Sequence, residues 1–547
     1  MTATSLADVV KAYDVRGTVP DQLDERVTRA LGAAFAEVVV RAEGAPGIVI
    51  GHDMRDSSPA LSAAFADGAR SRGVDVTLIG LASTDGLYYA SGALDLPGAM
   101  FTASHNPAEY NGIKLCRAGA RPVGQDTGLA DVRRLAEQIL DGAATDAVPS
   151  PAPAAAPSPA PAAVPSPAAD AAGSPLADAA GSPAADAVPS RASAAAGSPA
   201  ADAVASPAAD AVPSDATHAP GILIERDLLR DYAAFLRGLV DLSAIRPLNI
   251  VVDAGNGMGG LTVPAVLGTA AGLEKLPLDV VPLYFELDGS FPNHEANPLD
   301  PRNLVDLQHA VRQHGADLGL AFDGDADRCF VVDERGEPVS PSAITALIAR
   351  REVARAVATG ATASDVAVVH NVICSAQVPE VIAATGARAV RTRVGHSFIK
   401  AEMARHDAVF GGEHSAHYYF RDFWFADTGM LAAMHTLAAL GEQDAPLSTV
   451  MADLHRYAAS GEINSTVTDS SAATDAVRGW AADQGVTTDE LDGLTLTHAG
   501  SGSDSDPMWW LNLRASNTEP LLRLNVEAAD AATMERVRDA VLAVIRA

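Results

Sequence analysis

Residues 101–108 read FTASHNPA, and they decide how the first part of the chain is interpreted. The preceding residues, GAM, are small and apolar and lead into Phe101, which predicts the end of a buried strand. The Asn-Pro pair then turns the backbone out of that strand, because proline restricts the residue before it and cannot donate to a sheet ladder. Ser104 and His105 are therefore predicted on an exposed loop at a strand end, where open α/β sheets bind ligands. A local turn made by Ser104 is the alternative that this stretch leaves open.

The bulk composition is that of a multidomain globular protein. The 547 residues suggest three to four domains, with 48% hydrophobic and 20% charged residues. The net charge of -30 argues against nucleic acid or an anionic membrane as a partner. The N-terminus lacks the basic and apolar regions of a signal peptide, and no run of about 18 apolar residues occurs. The three cysteines, Cys116, Cys329 and Cys374, have no metal-type spacing and predict a reducing cytoplasm.

Residues 143–218 differ from the rest of the chain. They consist almost entirely of Ala, Pro, Ser, Asp and Gly, and they repeat S-P-A/L-A-D from Ser166, Ser174, Ser182, Ser198 and Ser206. Such a composition cannot bury enough apolar surface to offset chain entropy. We therefore predict a disordered insertion without a catalytic role.

Short β-rich runs alternate with amphipathic helices on both sides of this insertion. The runs 47–51, 248–252, 367–370 and 521–526 are typical of strands. A C-terminal helix capped by Asp530 follows the last of them. The alternation predicts α/β domains with mostly parallel sheets. We expect domains at 1–142, 219–338, 339–456 and 457–547.

The segment 322–333, FDGDADRCFVVD, carries carboxylates at alternate positions. Asp323, Asp325 and Asp327 converge if the loop curls around a hard cation, and oxygen ligands suit magnesium or calcium. An EF-hand is the competing interpretation, but its sixth position would be Arg328 where a glycine is needed. Arg328 beside a cation indicates an anionic ligand, most simply a phosphate.

Two further segments carry groups that can bind an oxyanion and sugar hydroxyls. RASNTEP at 514–520 places a guanidinium, two hydroxyls and an amide on one loop, and Arg523 follows on the next strand, which together predict an oxyanion clamp. In GEHSAH, Glu413, Ser415 and His417 alternate, so in an extended segment they face one side. A carboxylate and a hydroxyl can hold sugar hydroxyls, and a histidine can shuttle protons. An ordinary polar turn is the alternative for the first segment.

The glycines of DAGNGMGG fit the dinucleotide fingerprint G-x-G-x-x-G after a strand. Confirmation requires an acidic residue about 20 residues further on, and Glu286 and Asp288 lie nearer thirty. We therefore interpret these glycines as a tight strand-to-helix turn and keep a nicotinamide-dependent oxidoreductase only as a weak alternative, beside a calcium-binding module.

The motifs TASHNP, NGIK, DGDADR, GEHSAH and RASNTEP occur in the order that is typical of the α-D-phosphohexomutase superfamily. The chain resembles its phosphomannomutase/phosphoglucomutase branch, also in KAYDVRGTVP, VGHSFIK and FADTG. The resemblance covers nearly the whole chain outside 143–218. It implies three similar mixed-sheet α/β domains and a smaller C-terminal α+β domain that holds the phosphate clamp and hinges over the others.

The resemblance also implies the chemistry. Ser104 is expected to be the phosphoserine, which passes its phosphoryl group to a hexose monophosphate and forms a hexose 1,6-bisphosphate. One Mg²⁺ is expected on Asp323, Asp325, Asp327 and the phosphoserine oxygen, with Arg328 assisting. Lys114 and His417 correspond to the general acid and base, with the pKa of Lys114 lowered by surrounding cations. The expected substrate-binding residues are Tyr13, Arg16, His396, Glu413, Ser415, Arg514, Ser516, Asn517, Thr518 and Arg523.

Substrate preference rests on details of the same resemblance. The Glu-x-Ser-x-His loop favours mannose phosphates. Glucose phosphates are expected as further substrates because the loop makes little contact with the 2-hydroxyl, where the two sugars differ. A glucose-preferring mutase and a phosphoglucosamine mutase remain alternatives. Many relatives have a lysine where this chain has Ile373, so we expect phosphate binding here to depend more on His396 and the arginines. We expect a monomer or homodimer that binds small hexose phosphates.

Overall fold

The computed structural model describes residues 5–142, 219–503, 505–515 and 521–547, and within these ranges the chain forms four β-sheets. The first sheet has the order β1-β5-β4-β2-β3-β7, with β6 beside β5. Its strands are β1 Val15–Thr18, β2 Gly47–His52, β3 Asp75–Leu81, β4 Gly98–Phe101, β5 Tyr110–Arg117, β6 Arg121–Pro122 and β7 Leu223–Glu225. Its helices are α1 Glu25–Phe35, α2 Ser58–Arg70, α3 Thr84–Leu94 and α4 Leu129–Leu140.

The second sheet has the order β12-β11-β10-β8-β9. Its strands are β8 Leu248–Asp253, β9 Leu278–Leu283, β10 Leu318–Phe322, β11 Cys329–Asp333 and β12 Pro338–Val339. The helices of this part are α5 Leu229–Leu239, α6 Gly259–Val266 and α7 Val305–His314.

The third sheet has the order β14-β13-β15-β16-β17. Its strands are β13 Ala367–Asn371, β14 Arg388–Thr392, β15 Phe410–Gly412, β16 Tyr418–Phe420 and β17 Ala426–Asp427. The accompanying helices are α8 Pro341–Ala358, α9 Gln377–Ala384, α10 His396–His406, α11 Gly429–Gly441 and α12 Leu447–Val450.

The fourth sheet, with the order β18-β22-β21-β20-β19, is antiparallel throughout. Its strands are β18 Ala458–Thr466, β19 Thr487–Asp489, β20 Leu494–His498, β21 Trp509–Ala515 and β22 Leu521–Ala528, with helices α13 Ser470–Trp480 and α14 Ala531–Ile545. Asp530 caps α14 as predicted, because its carboxylate accepts a hydrogen bond from the Thr533 backbone N–H.

The predicted fold class is confirmed, since three mixed sheets precede an α+β unit. Mostly parallel pairing was predicted, and this holds only for β4-β2-β3-β7, β10-β8-β9 and β14-β13-β15. The remaining pairs of the first three sheets are antiparallel. Pattern alone cannot separate the two, because a buried strand is apolar on both faces in either arrangement.

The predicted start of the second domain at residue 219 lies too early, because β7 belongs to the first sheet. This strand pairs in parallel with β3, so it forms an edge of the first sheet. Leu223 and Ile224 are exposed, so no burial pattern ties the segment to either sheet. The predicted insertion at 143–218 lies outside the described residues.

Packing separates the fourth sheet from the rest. One hydrophobic core joins Tyr89 of α3, Tyr232 of α5 and Phe423 after β16, so helices and loops from the first three sheets share it. A second core fills the first sheet, and another lies between the fourth sheet and α13 and α14. None of the helices in the described ranges combines the length and the apolarity needed to cross a bilayer.

The glycine-rich turn after β8 is explained by packing, as interpreted from the sequence. A Cβ atom at Gly257 would lie 2.6 Å from the carbonyl oxygen of Gly324, and one at Gly260 would lie 2.2 Å from that of Phe285. Gly257 thus lets the turn after β8 approach the loop after β10, and Gly260 lets α6 approach the segment after β9.

Candidate active site

The serine loop, residues 102–110, joins β4 to β5 at the carboxyl end of the parallel strands. Ser104 has a φ of 50°, a left-handed conformation that costs a non-glycine residue about 1–2 kcal/mol. The Ser104 N–H donates to the Thr102 hydroxyl oxygen at 2.9 Å, and the Ser104 side chain is almost fully buried. The surrounding contacts therefore hold the serine in a strained conformation.

Residues 323–328, which we name the metal loop after their predicted role, join β10 to β11 and face the serine loop. Asp323, Asp325 and Asp327 are buried, with carboxylate oxygens within 4.8 Å of one another. The Ser104 hydroxyl donates to Asp323 Oδ2 at 3.0 Å. The structure thus brings together the serine and the three carboxylates, which lie more than 200 residues apart in the chain.

Lys114 of β5 reaches across to the metal loop. Its ammonium donates to Asp325 Oδ2 at 2.7 Å and to Asp327 Oδ2 at 2.5 Å. Burial favours the neutral lysine, but these two carboxylates outweigh it and raise the pKa of Lys114 well above its usual value. The predicted lowering of this pKa is therefore wrong, because carboxylates rather than cations surround the ammonium.

Arg328 binds both the metal loop and the serine loop. Its Nε donates to Asp323 Oδ2 at 2.9 Å, and Nη2 lies 2.6 Å from His105 Nδ1. His105 Nδ1 is also 3.2 Å from the Ser104 hydroxyl. Burial, followed by the charge of Arg328, holds the pKa of His105 well below its usual range. A neutral imidazole accepting from Arg328 therefore lies beside the serine, a neighbour that the sequence interpretation left without a role.

Residues 413–417, which we name the sugar loop after their predicted role, form a tight turn between β15 and β16 rather than the predicted extended segment. Ala416 has a φ of 66°, and the Glu413 N–H donates to the His417 carbonyl. The turn still gathers the predicted groups, since the Ser415 hydroxyl lies 3.0 Å from both Glu413 Oε2 and His417 Nδ1. His417 Nε2 is 3.8 Å from Asp327 Oδ1, and Arg328 and His417 form a backbone bridge. The sugar loop is therefore attached directly to the metal loop.

Tyr13, Arg16 and His396 lie around the same cleft. Arg16 donates to the Asn106 side-chain oxygen at 2.6 Å and so contacts the serine loop. The edge of the Tyr13 ring packs on the His396 ring with centroids 4.5 Å apart. Burial chiefly raises the pKa of Tyr13, the carboxylates of Asp14 and Glu413 raise it further, and the guanidinium groups of Arg16 and Arg523 oppose the shift.

Arg514 and Arg523 are directly opposite each other on β21 and β22. Two like charges in this position repel each other, but Glu462 of β18 accepts from both, at 3.1 Å and 3.2 Å. Glu462 was missed from the sequence because it lies more than 50 residues before the arginines. The predicted clamp residues Ser516, Asn517 and Thr518 lie outside the described residues. Ile373 lines a cavity between the third and fourth sheets, together with His414 and Trp510.

Other residues that support the site carry weaker sequence signals. Thr84, at the start of α3, donates to Asp325 Oδ2 at 2.5 Å, and the Lys400 ammonium lies 2.8 Å from Asp427 Oδ1, close to His417. Arg55 donates to several carbonyls of the serine loop. Arg55 follows β2, the parallel neighbour of β4, so its position at a shared strand edge was the available signal.

Four family models match successive parts of the chain. Three are described as phosphoglucomutase/phosphomannomutase alpha/beta/alpha domains I, II and III, and match residues 7–140, 230–336 and 340–457. The corresponding C-terminal domain matches residues 462–544. The chain belongs to the phosphoglucomutase/phosphomannomutase family.

Relatives within this family align over nearly the full length. The phosphomannomutase of Salmonella typhimurium is 33% identical over 520 residues, which cover 95% of this chain and 94% of the relative. A protein of Xanthomonas campestris named phosphohexose mutases is 35% identical over 528 residues, 96% of each chain. The family and these relatives are mutases, which move a phosphoryl group within a molecule.

Solved structures show the same fold. A phosphoglucomutase/phosphomannomutase family protein of Burkholderia thailandensis has a TM-score of 0.73 and 26% identity, over 98% of this chain and 97% of that one. The N-acetylphosphoglucosamine mutase of Aspergillus fumigatus, solved with GlcNAc-6P and magnesium, has a TM-score of 0.56 and 13% identity, over 99% and 96% of the two chains.

Proposed function

We propose that this protein is a phosphomannomutase that interconverts mannose 6-phosphate and mannose 1-phosphate through a phosphoserine at Ser104 and a hexose 1,6-bisphosphate. The observation that carries the proposal is the 3.0 Å hydrogen bond from the Ser104 hydroxyl to Asp323. It links a nucleophilic hydroxyl to a cluster of buried carboxylates. The names of the relatives at 33% identity support the choice of mannose phosphates.

The proposed transfer balances in each half-reaction. The bond from phosphorus to Ser104 Oγ breaks as a bond from phosphorus to a hexose hydroxyl oxygen forms. The proton of that hydroxyl passes to a general base, and a general acid protonates Ser104 Oγ as it leaves; in the reverse transfer the Ser104 hydroxyl loses its proton to the base and the leaving hexose oxygen gains one. Lys114 and His417 are assigned to these roles because both approach Asp327, at 2.5 Å and 3.8 Å.

The metal loop fits a hard divalent cation such as Mg²⁺. Asp325 Oδ1 and Asp327 Oδ1 are buried and have no hydrogen-bond partner within the described ranges. Such oxygens are costly unless a cation occupies the space between them. Asp323, Asp325 and Asp327 would hold the ion together with a phosphoserine oxygen, and the bound ion neutralises charge on the phosphoryl oxygens. Arg328 adds a fixed positive charge on the same side.

The remaining groups are proposed to hold the hexose. Glu413 and Ser415 grip adjacent hydroxyls, because their oxygens already lie within hydrogen-bond distance of each other. Arg514 and Arg523 bind the phosphate that is not reacting, together with Ser516, Asn517 and Thr518. Tyr13, Arg16 and His396 line the cleft between these ends. A chain of net charge -30 can thus bind dianionic sugars, because its cations are concentrated in the cleft.

A substrate comparison tests the proposal. The purified protein is incubated with mannose 6-phosphate, glucose 6-phosphate or glucosamine 6-phosphate, each with a trace of the matching 1,6-bisphosphate, and the 1-phosphate is measured. We expect the highest kcat/KM for mannose 6-phosphate and measurable turnover of glucose 6-phosphate. Turnover of glucosamine 6-phosphate alone would overturn the substrate assignment, and turnover of none would overturn the mutase.

Metal removal tests the proposed ion. Dialysis against EDTA should lower kcat about 100-fold or more, and Mg²⁺ should restore it. Asp325→Asn should abolish Mg²⁺ binding in calorimetric titration, whereas Asp317→Asn, which removes a carboxylate paired with Arg246 far from the metal loop, should leave binding intact. Full activity after chelation would show that no divalent ion is needed.

A further inference from the structure

One buried side chain organises the whole serine loop. The backbone carbonyls of Ser104, Asn106, Pro107 and Tyr110 all accept hydrogen bonds from Arg55. Nη2 donates to the first two at 2.9 Å and 2.7 Å, and Nη1 donates to the last two at 2.8 Å and 2.9 Å. The guanidinium thus ties the reactive serine to the residues that follow it in the loop.

The hydrogen-bonding capacity of Arg55 is fully used. A guanidinium has five N–H groups. Four serve the serine loop, and Nε donates to Asp53 Oδ2 at 3.2 Å. Arg55 is 1% exposed, so water does not compete for these donors. A lysine at this position has three donors on one atom and cannot reproduce the planar fork.

Residues on the metal-loop side of the site pack against Arg55 and against the Ser104 carbonyl. The Phe291 ring centroid lies 5.1 Å from Arg55 Cζ, and a Cβ atom at Gly289 would come within 2.7 Å of Arg55 Cα. A Cβ atom at Gly324, in the metal loop, would lie 2.4 Å from the Ser104 carbonyl oxygen. The Ser104 carbonyl is therefore confined between the metal loop and Arg55, and Arg55 fixes the distance between the serine and the carboxylates.

We propose that Arg55 is a positioning residue for phosphoryl transfer, which holds Ser104 at the metal loop without contacting the hexose phosphate. The inference rests on the proposed mutase function. Its physical basis is that transfer requires the serine oxygen, the phosphorus and the hexose hydroxyl in line, and a misplacement of about 1 Å costs roughly 100-fold in rate. The strained φ of Ser104 makes an external support necessary.

Arg55→Lys tests this role through a split between kcat and KM. With mannose 6-phosphate, kcat should fall about 100-fold while KM stays within about threefold, because the groups proposed to bind the hexose lie on other loops. If the wild-type protein interconverts hexose phosphates and the variant has the same kcat, this inference is overturned. If the wild-type protein itself does not, the proposed function has failed instead.

Arg237→Lys is the matched control. Arg237 also donates to three backbone carbonyls, those of Val266, Gly268 and Glu274, but near α6 and away from the serine loop. Its lysine variant should lose thermal stability and keep the wild-type kcat. An equal fall of kcat in both variants would overturn the specific role of Arg55.

Phe291→Leu keeps the test decisive if Arg55→Lys does not fold. It retains all five hydrogen bonds and removes the aromatic face over the guanidinium, so kcat should fall about threefold at unchanged KM. An unchanged kcat, or a change confined to KM, would contradict the proposal.

Discussion

The proposed substrate cleft has a reacting end and a phosphate end, and these two ends are built differently. At the reacting end, Ser104 and the three metal-loop carboxylates are almost fully buried. At the phosphate end, the side chains of Arg514 and Arg523 are 14% and 29% exposed and share the carboxylate of Glu462.

The two ends also differ in how their sheets contact the neighbouring sheets. The first three sheets share one core, and buried Asp85 of α3 accepts from Tyr232 at 2.8 Å and from Thr428 at 2.7 Å, which joins all three. The fourth sheet has its own core and meets the third through polar contacts such as the one from the Val394 N–H to Asp492. A partly buried hydrogen bond such as this one costs less to break than fully buried polar contacts, which can cost several kcal/mol.

This difference suits the proposed reaction, in which the bisphosphate intermediate must reorient within the site. The reacting end keeps one geometry in both half-reactions, so a rigid and preorganised site is an advantage. The phosphate end must release one phosphate and accept the other, so a separately packed unit is an advantage there. The hinge predicted for the last domain stays a prediction that these contacts favour.

The largest effect is expected from removing the nucleophile at the reacting end. Ser104→Ala should lower kcat by about 10⁴-fold or more, the scale on which a covalent nucleophile contributes. Steady-state turnover of mannose 6-phosphate checks this. Ser62→Ala, which removes another buried hydroxyl that donates only to the Pro59 carbonyl, is the control and should keep full activity. Retained turnover in Ser104→Ala would show that no phosphoserine forms there.

A smaller effect is expected at Asp85, whose buried hydrogen bonds join the first three sheets. Burial raises its pKa from 3.8 to about 6, against the hydrogen bonds from Ser83, Thr428 and Tyr232. The folded state therefore binds the proton more tightly than the unfolded state, so this stabilisation is complete below pH 3.8 and is lost as the pH rises through 6. Relative to Asp85→Asn, the wild-type protein should lose about 2 kcal/mol of unfolding free energy between pH 4 and pH 7.

Calorimetric scans of both proteins at pH 4, 5, 6 and 7 measure this difference. The melting temperature of the wild type should fall relative to that of Asp85→Asn as the pH rises. A constant difference across the series would mean that Asp85 does not titrate in the folded protein. The hydrogen bonds of Asp85 would then not explain why the reacting end is rigid.

The smallest effect concerns the phosphate end. Arg523→Met should raise KM for mannose 6-phosphate about tenfold and leave kcat within about twofold, because one charge-assisted hydrogen bond to a phosphate is lost in ground and transition states alike. Arg538→Met, in the same unit but paired with the exposed Asp539, is the control. A fall in kcat at constant KM would mean that the two ends are not separable.

Much of the site could be predicted from the sequence because its motifs are local. Ser104 precedes a turn that proline enforces, and the alternating aspartates occupy a single loop between two strands, so residue type and spacing already limit their chemistry. The pKa of Lys114 could not be predicted, because its sign depends on whether carboxylates or cations lie within a few ångströms. The sugar loop was predicted as extended because alternation within five residues does not distinguish a strand from a turn with one left-handed residue.

The sequence by itself determined the succession of sheets, the reactive residue types and the order in which they occur, since hydrophobic period and turn chemistry act over a few residues. Only the tertiary structure decided that Arg55 holds the serine loop, that Asp85 joins three sheets and that Glu462 bridges two arginines. Each of these contacts pairs a buried or partly buried charge with partners far along the chain. Their energy depends on distance and desolvation, which no local pattern records.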